Sequence, residues 1–340
     1  MAKAGLNWCI VLASVILATQ PARAQDFYQG KTVTLLAGAP AGGEHDKLAR
    51  LVARHLAAHI PGKPTITVEN RQANGGVDAL NAFFADAPKD GTALHMPMPG
   101  MALLQALRAP AVRYDAGALE YVGNLSRSPM VLVTWWVTGF KTIDDGRRRE
   151  MSLGAVGASG VGAIYPAVVN TMLRTRFKVF GQYRRDADVD EAIENTEIGG
   201  RIASWGSLTV TQPGWIAQKR LSVLFQAGHV KHPDLPDAPL LASLVANDRD
   251  RALLDFVSGD AEHARALVAP PGTPAATLGV LRGAFEAMAV DPAFLAEARA
   301  GRFDIAPTKG EDAAKAVATE LRTPRETIER ARAMLDGILQ

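Results

Sequence analysis

Cysteine is all but missing from this chain: 340 residues carry one, Cys9, close to the start. Disulfide staples are therefore excluded. Because Cys9 falls in a segment read below as a cleaved leader, a thiol nucleophile and any cysteine-built metal site are excluded from the mature protein too. An excess charge of one sign is also missing, with 37 Lys and Arg against 35 Asp and Glu and no like-charge run longer than Arg147-Arg148-Arg149. That balance offers no basic stripe to a polyanion, so nucleic acid is not an expected partner. Long apolar runs are missing: the stretch from Cys9 to Ala18 is far short of the roughly 20 residues that cross a bilayer, and no later stretch exceeds it. Nucleotide motifs fail as well. Gly38-x-x-x-Gly42-Gly43 lacks the spacing of the dinucleotide fingerprint, and no complete P-loop occurs.

What is present is ordinary globular material, 48% hydrophobic and 21% charged, which argues against disorder, collagen-like repeats and coiled coils. The first 24 residues read as a secretory signal: Lys3, the apolar run, then Ala22-Arg23-Ala24 as a small-x-small cleavage site. The mature chain is expected to start at Gln25 and to be soluble, with equal numbers of acids and bases once Lys3 and Arg23 are gone. Its length favours two domains with a cleft between them.

From Lys31 to Val156 one phrase recurs: a short aliphatic run, a Gly/Pro/Asn loop, then apolar residues at helical spacing. This predicts a parallel α/β sheet. The first phrase is a strand Thr32 to Leu36, the loop Gly38 to Gly43, and a helix from Glu44 to His59 that Pro61-Gly62 stops. Thr65 to Val68 with the helix Val77 to Ala85, and Thr92 to Met96 with the helix Met101 to Arg108, are the second and third. Strands are expected at Tyr121 to Gly123 and Met130 to Thr138, and a second series starts at Ser152 to Val156 with a helix Ile164 to Leu173. Phe177 to Phe180, Gly200 to Ser204 and Ser222 to Ala227 continue it. Beyond Asp250 the pattern is mostly helical, apart from a strand Ala266 to Ala269, and this block is expected to pack back on the first lobe.

Glycine loops between a strand end and a helix start expose backbone N–H groups at the positive end of a helix dipole, which suits a carboxylate or phosphate. Gly42-Gly43, Asn74-Gly75-Gly76 and Ser159-Gly160-Val161-Gly162 make three such loops, and in open parallel sheets they gather where ligands bind. Gly157-Ala158-Ser159-Gly160-Val161 begins like a nucleophile elbow, but Val161 replaces the final glycine, so Ser159 reads as a hydroxyl or turn residue. His55 and His59 stand one turn apart but lack the glutamate of a hydrolytic zinc motif, Leu56 taking its place. They are expected to pack at the sheet boundary. Of Trp135-Trp136 one ring is expected in the core and the other on the opposite face. Arg184-Arg185 offers guanidinium groups to a carboxylate, with Tyr183 beside them, or else forms a solvated turn paired to Asp186 or Asp188. Glu44 and Asp46 favour the start of their helix as acids, while Glu44 alternatively meets an amine or hydroxyl of a ligand.

The order of these motifs resembles one family over nearly the whole mature chain, the extracytoplasmic Bug-type receptors of tripartite tricarboxylate transporters. Tyr28-x-Gly30-Lys31 leads into Pro40-Ala41-Gly42-Gly43-x-x-Asp46, Val68-Glu69-Asn70-Arg71 precedes the second loop, and Ala87-Pro88-Lys89-Asp90-Gly91-Thr92 precedes the third strand. His232 to Pro239 and Ala269-Pro270-Pro271-Gly272-Thr273-Pro274 match later.

The resemblance implies a periplasmic-binding-protein fold of the type II Venus-flytrap kind, two doubly wound α/β lobes joined by crossing hinge strands. Lobe 1 would comprise 25–126 and 266–340, and lobe 2 127–265. It implies a periplasmic, monomeric binder rather than an enzyme, with no cofactor or metal, that takes a small organic carboxylate and delivers it to membrane permease subunits. Carried over by motif, contacts fall on Ala41, Gly42, Gly43, Glu44, Asp46, Asn74, Gly75 and Gly76 in the first lobe. In the second they fall on Ala158, Ser159, Gly160, Tyr183, Arg184, Arg185, Asp186, Ser204 and Trp205. Two loops depart from the family pattern: Gln72-Ala73-Asn74-Gly75-Gly76 replaces Pro-Gly-Ala-Gly, and Tyr183-Arg184-Arg185-Asp186 replaces a Tyr-x-Gly-Gly/Ser type. Two other readings compete: a secreted hydrolase using Ser159, against which the incomplete elbow argues, and a module handing its ligand to a receptor kinase.

Overall fold

The computed structural model describes residues 27–71, 73–157 and 160–338, so the expected signal segment, Gln72, Ala158 and Ser159 lie outside the described residues. The three opening phrases fold as expected: β1 (Thr32–Ala37), α1 (Glu44–His59), β2 (Thr65–Asn70), α2 (Val77–Asp86), β3 (Ala93–Met96) and α3 (Met101–Ala106). After β4 (Glu120–Asn124) the chain crosses to β5 (Met130–Trp135), α4 (Ile143–Arg148), β6 (Glu150–Val156), α5 (Val161–Leu173), β7 (Arg176–Tyr183) and α6 (Asp186–Glu194). Next come β8 (Gly200–Ser204), α7 (Trp205–Thr211), α8 (Pro213–Ala217), β9 (Leu221–Ala227) and α9 (Asp248–Val257). The chain then returns through β10 (Ala266–Ala269) to α10 (Ala275–Ala289), α11 (Pro292–Ala300), β11 (Thr308–Lys309), α12 (Gly310–Leu321) and α13 (Arg325–Met334).

Two sheets result, ordered β11-β4-β10-β3-β1-β2 and β7-β6-β8-β5-β9. Each keeps the parallel pairing that the repeated phrase predicts and adds antiparallel strands to it. β1 runs parallel to β2 and β3, and β6 parallel to β7 and β8, but β10 is antiparallel to β3 and β4, and β5 to β8 and β9. The mixed pairing follows from the crossovers, because a strand that enters a sheet from the other lobe arrives from the cleft end. A parallel core within each sheet is kept, and with it a common edge for the loops of β1, β2 and β3 and for those of β6, β7 and β8.

Alternation along β1 explains how the first sheet is covered. Val33 and Leu35 face Leu48, Leu51 and Val52 of α1 and Leu281 and Phe285 of α10, while Leu36 faces Val77 and Phe83 on the other side. Each such fully buried side chain contributes about 1.5–3 kcal/mol. The core on the Leu36 side continues without a break from Leu103 on α3 through Tyr165 on α5 and Val257 on α9 to Val317 on α12 and Leu335 after α13. The terminal block therefore divides: α10 and α11 cover the first sheet as expected, whereas α13 crosses to α9 and α5, with Arg330 paired to Asp250.

Two smaller expectations change, and one helix joins those read from the sequence. The strand at Met130 ends at Trp135, after which Trp136–Thr138 turn; Trp135 is buried and Trp136 is 59% exposed, the split predicted for the pair. Trp205–Thr211 is helical although rich in β-branched residues, because Ser204 caps it and Leu208 is buried beneath it. His55 and His59 pack against α11 rather than the sheet, at 2.7 Å from Glu297 Oε2 and 3.0 Å from Asp291 Oδ2. Among the described residues no cluster of three or more His, Cys, Asp or Glu is arranged to hold a metal, and no helix is long and apolar enough to cross a membrane.

Candidate functional site

The loops that follow β1, β2 and β3 meet one another, and the turn after β3 meets the start of α5 in the second lobe; ligands of open α/β sheets bind beyond such strand ends. In the first lobe, glycine makes that convergence possible. Gly76 has φ +96°, and a Cβ there would stand 2.8 Å from Met98 Cγ and 3.1 Å from the Gly38 carbonyl oxygen, so the loops after β1, β2 and β3 meet only because position 76 has no side chain. Asn74 and Gly75 also hold left-handed backbone, at φ +49° and +63°, which turns an exposed Asn74 toward solvent.

Asp46 fixes the first loop from below. One oxygen accepts from the Gly42 N–H at 2.8 Å, the other from Asn70 Nδ2 and Arg50 Nε, each at 2.9 Å. Burial disfavours its ionised form, but these donors outweigh it and hold the carboxyl below its ordinary value. The Gly42 N–H is thus engaged by Asp46, while exposed Ala41 and half-buried Gly43 form the outer turn.

Glu44 does not serve as a simple cap. Its side chain is buried and reaches Arg265 Nε at 2.8 Å and His45 Nδ1 at 2.9 Å. Burial alone would raise this carboxyl, yet the Arg265 guanidinium, with His45, lowers it to about 2. Arg265, 1% exposed, also donates to Ser204 Oγ at 2.9 Å and to the Ala264 carbonyl at 2.9 Å. One guanidinium at the entrance to β10 therefore ties the start of α1 to the β8–α7 junction of the other lobe. Beneath the same loops lies His95, fully buried, its Nδ1 2.7 Å from the Leu36 carbonyl. Burial, and next to it the charge on His45, hold it near pKa 4 against the pull of that hydrogen bond, so it is neutral at pH 7.

In the second lobe Gly160 caps α5, and Val161 presses on the first lobe so closely that a Cβ on Gly100 would be 2.6 Å from its Cγ1. Tyr183 turns its ring inward against the Trp135 and Ile193 cluster. Arg185 pairs with Asp188 at 2.6 Å, the solvated-turn arrangement, and Arg184 is exposed at the loop apex. Asp186 accepts from Arg201 Nη1 at 2.7 Å, and Arg201, 2% exposed, also meets Asp190 at 2.8 Å. Burial raises the Asp190 carboxyl despite that partner. The Trp205 indole N–H donates to Asp234 at 3.2 Å, and Trp205 lines a pocket of about 290 Å³ with Glu44 and Arg265.

The structure thus brings Gly76 against the loops after β1 and β3 and the Gly100 turn against Val161 at the start of α5, and it gives Glu44, Asp46, Arg185 and Asp186 charged partners within the protein. Arg265 and Arg201 escaped the sequence reading. The signal was a single charge within or at the start of an apolar strand, in Gly200-Arg201-Ile202-Ala203 and Arg265-Ala266-Leu267-Val268, which requires a buried partner.

No family model matches the chain. It is 25% identical over 241 residues to the UPF0065 protein of the tcbD–tcbE intergenic region of Pseudomonas sp. (strain P51), a match covering 68% of this chain and 70% of that protein. Its fold is similar to that of a TctC solute binding protein from Polaromonas, with a TM-score of 0.64 and 14% identity over 91% of this chain and 99% of the other. It is similar also to Rpa4515 of R. palustris, solved with adipate, with a TM-score of 0.69 and 19% identity over 89% of this chain and 97% of the other. The chain has the periplasmic-binding-protein fold, and its resemblance to receptors of the TctC/Bug type extends over most of its length.

Proposed function

We propose that this protein is an extracytoplasmic receptor that binds a small organic carboxylate between its lobes and hands it to a tripartite tricarboxylate-type membrane transporter. The observation that carries this reading is the close approach of the Gly100 turn after β3 to Val161 at the start of α5, which sets the N-terminus of a 13-residue helix of one lobe against the strand-end loops of the other, an arrangement that favours an anion. Adipate in the similarly folded Rpa4515 supports the choice of a carboxylate. Arg184, exposed in the turn between β7 and α6, offers a guanidinium of the kind that recognises a carboxylate. Binding is noncovalent, and delivery depends on a ligand that prefers the closed lobes to the open ones.

A thermal-shift panel of mono-, di- and tricarboxylates, aromatic acids, amino acids, sugars and nucleotides tests the proposal. At 100 times its dissociation constant the right compound stabilises the fold by about 2.7 kcal/mol, and it is recovered chemically intact after long incubation. Sugars or nucleotides as sole hits refute the carboxylate, and steady turnover refutes the receptor.

A further inference from the structure

The pocket lined by Trp205 is distinct from the loop cleft. Among the described residues none of the glycine-rich loops lines it; the walls are Leu48 of α1, Ser126 of the crossing segment, Trp205 and Thr209 of α7, and Arg302 and Phe303 after α11. The buried Glu44–Arg265 pair forms part of its lining. Contacts between the lobes frame this pocket. Thr209 Oγ1 donates to the Arg302 carbonyl at 3.4 Å, and His232 Nε2 lies 3.3 Å from Asp304 Oδ2. A molecule inside touches both lobes only while they are together.

Its charges are unevenly committed. Arg127 is paired with Glu262 at 2.8 Å and Arg265 with Glu44, while Asp234 accepts from the Trp205 indole and Asp304 faces His232. Arg299 and Arg302 are left over. Among the described residues neither guanidinium meets a carboxylate, and Arg299 donates only to the Leu295 carbonyl, at 3.2 Å. Two uncommitted guanidinium groups beside the Ser126 and Thr209 hydroxyls match the oxygens of an acid, and the faces of Leu48, Trp205 and Phe303 match a short hydrocarbon body. The carboxylates of Asp234 and Asp304 in the same lining disfavour a highly charged anion.

We propose that this pocket is a second ligand site for a small organic acid with one or two carboxylates, whose occupant holds the lobes together independently of the loop cleft. Arg299 and Arg302 are exposed and make no ion pair among the described residues, so replacing them leaves the fold intact, which an unchanged melting point of the free protein verifies. Succinate, glutarate and benzoate are titrated calorimetrically into the mature protein, into Arg299→Ala/Arg302→Ala, and into Arg184→Ala. The expected result is a saturable event that the double variant weakens about tenfold or more and that Arg184→Ala leaves unchanged, with a smaller radius of gyration, at the concentration that saturates the wild type, in the wild type and Arg184→Ala but not in the double variant. No saturable binding by any of the three acids overturns the proposal, as does binding that the double variant retains at full strength. Failure of the cleft reading is seen separately, as loss of every Arg184-sensitive event while the one sensitive to Arg299 and Arg302 persists.

Discussion

Arg265 is held on three sides at once, by Glu44, Ser204 and the Ala264 carbonyl, at a point closed to water. A guanidinium and a carboxylate removed from solvent roughly offset their desolvation only while both are present. Losing one partner leaves the other charged and unsolvated. Arg265→Met is therefore expected to destabilise the protein by about 3–5 kcal/mol, and Glu44→Gln/Arg265→Met to recover most of that loss, because the second change removes the stranded charge. Urea unfolding of the two single variants and the double variant measures the coupling between the sites. Additive losses would mean that Arg265 acts through packing and Ser204 rather than through Glu44. Asp46 differs in kind: it spends its carboxylate on the Gly42 N–H, Asn70 and Arg50, so its place is in shaping the loop rather than in touching what the loop binds.

Where the start and end of an element were written locally, they were legible in advance. α1 was read to the residue from Gly43 before it and Pro61-Gly62 beyond it, and β8 from the short run Gly200 to Ser204. The cleft glycines were legible for the same reason, since a left-handed turn between strand and helix calls for Gly. What stayed hidden depended on distant partners. β10 is four residues long, and nothing in Ala266–Ala269 says that it runs antiparallel between β3 and β4. Likewise Trp205–Thr211 becomes a helix through its cap and burial, against the preference of Thr209, Val210 and Thr211 for strands. The contact between α3 and α5 tests how such elements meet. Gly100, φ +86°, starts α3 opposite Val161 Cγ1. Gly100→Ala is expected to cost about 1–2 kcal/mol through its backbone conformation and, separately, to force the lobes apart, enlarging the radius of gyration in solution. Adding Val161→Ala removes the clash but not the backbone cost, so compactness returns while stability does not. An unchanged radius of gyration in Gly100→Ala would show that the lobes do not meet here in solution.

For the molecule as a whole, the buried titratable groups are set against each other. Asp260 lies between Tyr165 of α5, whose hydroxyl donates to it at 3.1 Å, and the charges of Glu320 on α12, His263 and Arg265. Burial, then the charge on Glu320, raises its carboxyl to about 7 from an ordinary 3.8. The fold thus prefers Asp260 protonated, and its contribution to stability grows as pH falls from about 7 toward 3.8 and is lost on the way back up. His95 does the reverse. With its pKa lowered from 6.5 to about 4, the fold prefers the neutral ring, and that contribution is complete above 6.5 and lost as pH falls toward 4. His263, raised above 6.5, changes its contribution only above that value, and Glu44, lowered from 4.5 to about 2, only below 4.5. Between pH 6.5 and 4.5 Asp260 and His95 therefore act in opposite directions, with Asp190, also raised by burial, on the side of Asp260, and the wild-type unfolding free energy is expected to change less than His95 alone would make it. Asp260→Asn keeps an acceptor for Tyr165 but removes one rising partner, leaving Asp190 alone against His95. That variant is expected to be more stable than wild type at pH 7.5, where it no longer buries a charge, and to lose the advantage steadily as pH drops to 4.5. Urea unfolding at half-unit steps across this range checks it: a constant gap between the two proteins would mean that Asp260 does not take up a proton there.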